Sequence, residues 1–181
     1  MELPLEGCLV RSWRPDDAPS LARHADSRKV WLNVRDYFPH PYTHADAVGW
    51  LERIRESPPE TQFAIEVDGE AAGGVGFFLQ RDVERRSAEI GYWLGEAHWG
   101  KGIMTSVVRA VTGYGFDTYD LLRIYAQVFA WNPASCRVLE KAGYELEGRL
   151  RRAVVKDGHV LDQLVYAVVR EDGEGSPGSS R

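Results

Sequence analysis

Cysteine is nearly missing, with Cys8 and Cys136 the only two among 181 residues. Two thiols make no disulfide framework and no Cys/His cluster stands at zinc-ligand spacing, so no metal is expected and a reducing cytoplasm fits. Positive charge is in deficit as well. Lys and Arg number 22 against 27 Asp and Glu, a net charge of −5, which argues against a nucleic-acid partner because a broad phosphate footprint needs clustered cations. Nowhere do about 18 apolar residues run together, and the opening "MELPLEGCLVRSW" lacks a charged start followed by an apolar stretch. Neither a membrane nor export is expected. The five histidines are scattered and none follows a nucleophile motif, which leaves no Ser-His-Asp set.

What is present suffices for a core. With 44% hydrophobic and 11% aromatic residues, the chain suits one packed domain over residues 1–170 and is short for two. The remainder, "EDGEGSPGSSR" at 171–181, is of low complexity and is expected to be disordered. "LEGCLVRSWR" reads as one opening strand, and "PDDAPSLARHAD" as a helix starting at Asp16 and Asp17. "YTHADAVGWLERIRES" follows as a second helix with Thr43 as N-cap. "TQFAIEV" and "AAGGVGFFLQ" form a hairpin about Asp68-Gly69, and "SAEIGYWL" is a further strand. A glycine-rich loop then leads into a helix with Met104, Val107, Val108 and Val111 on one stripe, its end weakened by Gly113 and Gly115. "RIYAQVFAW" is a strand, and Asn132-Pro133 opens a helix ending at Gly143. "YELEGRLRRAVV" and "HVLDQLVYAVV" close the chain as a hairpin. The count is seven strands and about four helices, an α+β arrangement in which the strand-helix-strand crossover makes residues 87–94 and 123–131 parallel neighbours.

The loop "WLGEAHWGKGIMTS" at 93–106 calls for an anion. Gly95, Gly100 and Lys101 follow the spacing of a nucleotide-triphosphate loop, but the next position, which there needs a hydroxyl for magnesium, is Gly102. A dinucleotide fingerprint fails at Thr105. What remains is a helix N-terminus whose unpaired backbone N–H groups, approached closely past two glycines, suit a phosphate without metal.

Element order and loop together resemble the GNAT superfamily of acyl-CoA-dependent N-acyltransferases over about residues 5–170. Within it they look like the RimJ/RimL-like branch that acetylates protein N-termini, where an aromatic residue before Gly-Lys-Gly is common. The carrying stretches are "FPHPYTHADAVGWL", "AEIGYWL", "WGKGIM" and "NPASCRVLEKAGYELEG". The resemblance implies a mostly antiparallel seven-stranded sheet with a splayed parallel pair, and acetyl-CoA as cofactor. It implies pyrophosphate on the N–H groups of Trp99, Gly100, Lys101, Gly102, Ile103, Met104 and Thr105. The pantetheine arm would pair with free backbone of Trp93 and Leu94 as an added strand. Asn132 would bind that arm through its side chain, with Lys101, Arg137 and Lys141 near the phosphates.

Acetyl transfer to an amine needs a neutral nitrogen and a place for protons to go. An α-amino group, with a pKa of about 7.7–8.0, needs less help than a lysine near 10.4. Glu89 shares a strand face with Gly91 and Trp93 and is the candidate general base; an ion pair with Arg85, Arg86 or an arginine on a facing strand is the structural alternative. The tyrosine that many members of the superfamily place seven residues after the asparagine is here Leu139, so Ser135 is the candidate for stabilising the leaving thiolate. Asn33, Tyr37, Phe38, Tyr42 and Trp93 are candidates for the acceptor pocket, and Asp36 for holding a cationic amine. The expected acceptor is a protein N-terminus. A small amine acceptor, or a non-catalytic acyl-CoA-binding module, stands as the alternative, and a homodimer is left open.

Overall fold

A computed structural model describes residues 1–170, so the expected disorder of 171–181 lies outside the described residues. The first departure from the sequence reading comes at once. The opening segment is two strands, β1 (Glu2–Leu5) and β2 (Cys8–Ser12), paired across a tight turn at Gly7. "LEGC" carries that turn: a glycine at φ 76° lets the chain reverse, which one uninterrupted strand would not need. The described residues therefore form eight strands rather than seven. Helix α1 (Ala18–Ala25) begins later than expected. Asp17 is buried beneath the guanidinium of Arg11, with Oδ2 and Oδ1 accepting from Nη1 and Nη2 at 2.7 and 2.8 Å. That pair joins β2 to the start of α1; Arg11 is also paired with Glu66, so it is the loss of Arg11 that would leave Asp17 buried without its counter-charge.

A single turn, α2 (Arg28–Trp31), precedes α3 (His44–Arg55), where Thr43 is the N-cap as expected and forms a capping box with Asp46. Strands β3 (Gln62–Val67) and β4 (Glu70–Leu79) turn at Asp68-Gly69, both at positive φ as a two-residue hairpin of this kind requires. β5 (Ser87–Leu94) leads through the glycine loop into α4 (Ile103–Thr118). The helix is not cut short by Gly113 and Gly115. At Gly115 an added Cβ would lie 2.5 Å from the ring of Phe77, so this glycine is where α4 settles onto β4. β6 (Arg123–Phe129), α5 (Pro133–Lys141), β7 (Glu145–Lys156) and β8 (His159–Val169) complete the chain.

The strands form one sheet in the order β1-β2-β3-β4-β5-β6-β8-β7, antiparallel throughout except for β5 and β6. Alternation along β5 divides two apolar clusters. Ile90 and Leu94 belong to the larger one, where Val107, Val108 and Val111 of α4 and Leu139 of α5 are fully buried. Each such valine stabilises the fold by about 1.5 kcal/mol or more. Trp93 points the other way and packs with Leu21, Tyr42, Ala47 and Leu51 of the α1–α3 side. Leu139, where a catalytic tyrosine is absent, is thus plain core.

Candidate functional site

Strands β5 and β6 are bonded only at their starts, Ser87, Ala88 and Glu89 facing Arg123, Ile124 and Tyr125. Beyond that each keeps its outer partner, β5 with β4 as far as Leu94 and β6 with β8 as far as Phe129. From Ile90 and Ala126 onward the two facing edges are unpaired, and a groove of about 1230 Å³ passes through the opening. It is lined by every residue expected on the cofactor side except Lys101, and by every residue expected on the acceptor side except Asp36.

At one end lies the glycine loop. The Gly95 N–H donates to Ala72 O at 2.8 Å and the Trp99 indole N–H donates to Leu94 O at 2.6 Å, which fastens the loop to β4 and β5. One acceptor site of the Leu94 carbonyl, expected to be free for an added strand, is therefore occupied. Gly100 and Gly102 take φ of 76° and 81°, and a Cβ on either would meet no other atom within 4 Å. Gly102 is the N-cap of α4 and supplies no side chain, so the first-turn N–H groups of a 16-residue helix open onto the groove uncapped. The contrast with α5 is direct: there Asn132 Oδ1 accepts from the Ser135 N–H at 3.1 Å. The Asn132 oxygen is a cap, leaving its amide N–H groups for the groove. Arg137 and Lys141 line the groove from the same helix.

Glu89 sits where the strands part, its side chain only 12% exposed, paired with Arg35. Arg35 also donates to Gln127 Oε1 at 3.0 Å, bridging β5 and β6 from outside the sheet. An ion pair exists, then, but with an arginine from the segment after α2 rather than with Arg85, Arg86 or a strand residue. Ser135 Oγ lies 2.8 Å from the phenol of Tyr92. Burial pushes the Tyr92 pKa well above its ordinary value, so this phenol stays protonated and available to Ser135. Tyr92 was not singled out in the sequence because it alternates away from Glu89 and reads as ordinary strand; no local pattern shows that α5 will bring Ser135 to it. Glu89 and Ser135 reach the opening from opposite faces of the sheet.

The end where the acceptor is expected is held by side chains. Phe38 packs against Tyr42 and Trp93 with ring centroids 4.8 and 5.6 Å away, and Tyr42 is buried while Tyr37 is exposed. Asn33 Nδ2 donates to Lys29 O at 2.9 Å. Asp36, expected to hold an amine, instead binds the buried Lys156 Nζ at 2.6 Å, and that ammonium lies 3.7 Å from the Trp31 ring centroid. Together with Arg28 on Asp157 at 2.6 Å, this ties the tip of the β7–β8 hairpin to the acceptor segment. Among the described residues no group of three or more His, Cys, Asp or Glu is placed to hold a metal, and no helix is long and apolar enough to cross a membrane.

Residues 8–145 match the family model for the acetyltransferase (GNAT) domain. The chain belongs to the GNAT family. It is an acetyl-CoA-dependent N-acetyltransferase, and its relatives are named as N-acetyltransferases. The probable N-acetyltransferase YjcK of Bacillus subtilis is 38% identical over 145 residues, 79% of this chain and 80% of that one. The putative ribosomal N-acetyltransferase YdaF of the same organism is 32% identical over 176 residues, 94% and 95% of the two chains. Among solved structures, RimJ of Mycobacterium smegmatis in complex with CoA-disulfide aligns with a TM-score of 0.81 at 28% identity, over 93% of this chain and 85% of that one. The GNAT enzyme described here shares its overall fold with the RimJ structure.

Proposed function

We propose that this acetyltransferase acts on the α-amino group of a protein N-terminus, as a RimJ/RimL-like enzyme built from one domain over residues 1–170 and working in the cytoplasm. The observation that carries the choice of acceptor is the charge of the groove. On the acceptor side its lining holds Lys29, Arg35 and Arg53 against the carboxylates of Asp46 and Glu89 alone, and these are already taken, Glu89 by Arg35 and Asp46 by the Thr43 cap. A polyamine would bring several positive charges to this wall, whereas a peptide N-terminus brings one, next to neutral backbone. The names of YdaF and RimJ support the same branch.

In this reading the bare N-terminus of α4 takes the pyrophosphate of CoA on backbone N–H groups, with Arg137 and Lys141 beside it. The residues fit that group: positive-φ glycines stand where a Cβ would otherwise protrude, and the helix has no side-chain cap competing for its donors. Bound acetyl-CoA supplies the activated thioester. Glu89 receives the proton from the incoming amine at its carboxylate, directly or through one water, while Arg35 holds that carboxylate at the mouth of the strand gap. Ser135 presents its hydroxyl to the departing sulfur, and Tyr92, a buried phenol 2.8 Å away, fixes where that hydroxyl points. Because an α-amine is already partly neutral near pH 7, a single weak base is enough for it.

Thiol release from acetyl-CoA, measured against a panel of N-terminal peptides, amino acids and spermidine, tests the proposal. A peptide should exceed spermidine in kcat/KM by about tenfold or more, the ordinary scale of one well-placed charge effect of ~1.4 kcal/mol. A faster reaction with spermidine would transfer the enzyme to the small-amine class.

A further inference from the structure

Lys156 ends β7 with a side chain only 1% exposed, and among the described residues its ammonium has one hydrogen bond, to Asp36 Oδ1 at 2.6 Å. The Asp36 side chain is 70% exposed. The pair is unequal: the ammonium has lost its water, while the carboxylate that answers it stays in water, where their attraction is weakened. The face of Trp31, 3.7 Å from Nζ, offsets part of that loss. A methionine would fill the same space against the ring with no charge to bury, so stability alone gives no reason for a lysine here. What an ammonium adds is direction, because it holds Asp36 at one point.

Asp36 lies in a turn on which the acetyl-transfer site depends. The Phe38 N–H donates to Arg35 O at 3.0 Å, which closes residues 35–38 into one tight turn, and its side chains leave in different directions. Arg35 reaches Glu89 and Gln127 where β5 and β6 part, Asp36 reaches Lys156 on the β7–β8 hairpin, and Phe38 packs against Trp93. The Arg35 side chain is 45% exposed, long and rich in rotamers, so its guanidinium stays on Glu89 only as well as its backbone is placed. We infer that Lys156 is a positioning residue for acetyl transfer: by pinning Asp36 it fixes the turn, and the turn sets Arg35 on Glu89. This rests on the reading of Glu89 as the proton acceptor. Lys156 does not itself line the groove, so the hairpin takes part in the reaction without touching a reactant.

A double-mutant cycle separates this role from a structural one. Lys156→Met should keep the wild-type affinity for CoA and a thermal midpoint at or above that of wild type, because the carboxylate left behind is already in water. Its kcat for an N-terminal peptide should fall about tenfold, inside the ~10²-fold that a misplacement of about 1 Å can cost. In an Arg35→Met background the same substitution should cost less than about twofold, since the group through which Lys156 acts is already gone. Asp36→Asn weakens the contact from its exposed side, a neutral amide holding an ammonium less well than a carboxylate does; it should lower kcat by a smaller factor, and it serves where Lys156→Met does not fold. Hydrogen exchange at the Phe38 amide reports the turn directly and should quicken in both variants, while the amides of α4 keep their wild-type rates. Full kcat in folded Lys156→Met, an equal loss with and without Arg35, or unchanged exchange at Phe38 in either variant overturns the inference. Glu89→Gln judges the base reading by itself: if that variant keeps full kcat, the reading of Glu89 falls, and exchange at Phe38 still decides whether Lys156 holds the turn.

Discussion

The two ends of the groove are built from different materials. The end proposed for the cofactor is backbone: two left-handed glycines and a helix start with no cap, all within a few consecutive residues. The end proposed for the acceptor is side chain: Arg35 on Glu89, Lys156 on Asp36 and Phe38 on Trp93 join positions far apart in the chain. A backbone cradle suits a group common to every reaction the family performs, because its geometry survives changes in the side chains around it. A wall of paired side chains can be altered one residue at a time, which suits the part of the site that selects the acceptor.

Substitutions at the two ends should separate along the same line, affinity for CoA at one and turnover at the other. The largest effect is expected at Glu89. Glu89→Gln keeps the shape but removes the proton acceptor, and steady-state kinetics near pH 7 should show kcat lower by ~10²–10⁴-fold with the KM for acetyl-CoA little changed. Next comes Gly102→Val. Holding a branched residue at φ 81° costs about 1–2 kcal/mol, and its side chain enters the space left for phosphate. Calorimetric titration should find CoA affinity lowered by about tenfold or more, and the Glu89→Gln profile should not appear. Tyr92→Phe crosses between the two ends. Losing a hydrogen bond of net worth ~0.5–1.5 kcal/mol at Ser135 should lower kcat several-fold, and Ser135→Ala should lower it at least as far. Lys101→Ala should be the mildest of the kinetic variants, because Lys101 does not line the groove; an exposed cation of this kind is worth ~0–1 kcal/mol.

A last, smaller effect concerns His24, packed under the cofactor loop where a Cβ on Gly95 would come within 2.7 Å of its Nδ1. Burial holds the His24 pKa below its ordinary value, against a weaker opposite pull from Glu70. The folded state therefore binds fewer protons at this site than the unfolded chain, so its share of stability is intact above the unfolded value of about 6.5. That share is lost as pH falls below it. The thermal midpoint of wild type should drop between about pH 7.5 and 5.5 by more than that of His24→Gln.

The same division explains what could be read from the sequence. Hairpins at Asp68-Gly69 and Asp157-Gly158, the stripe on α4 and the glycine loop are all written in short windows, where local backbone physics decides the outcome. The parallel pair followed from connection rules and holds. What escaped depends on residues distant in sequence. Arg35 reaching Glu89 spans 54 positions, Tyr92 reaching Ser135 spans 43, and Lys156 taking Asp36 spans 120. No periodicity records such pairings. Even Gly115, which looks like a helix breaker, was misjudged because its reason is the ring of Phe77, 38 positions earlier, on another element.

The most direct measurement of the central claim is the pH–rate profile of Glu89→Gln beside wild type, with one N-terminal peptide and saturating acetyl-CoA, from about pH 6 to 9. If Glu89 relieves the incoming amine of its proton, the deficit of the variant should be greatest at the acid end and shrink as the amine passes its own pKa of about 7.7–8.0. A folded Glu89→Gln enzyme that keeps full kcat across that range, or whose deficit is the same at every pH, would contradict the account and leave Glu89 as the ion-pair partner of Arg35 alone.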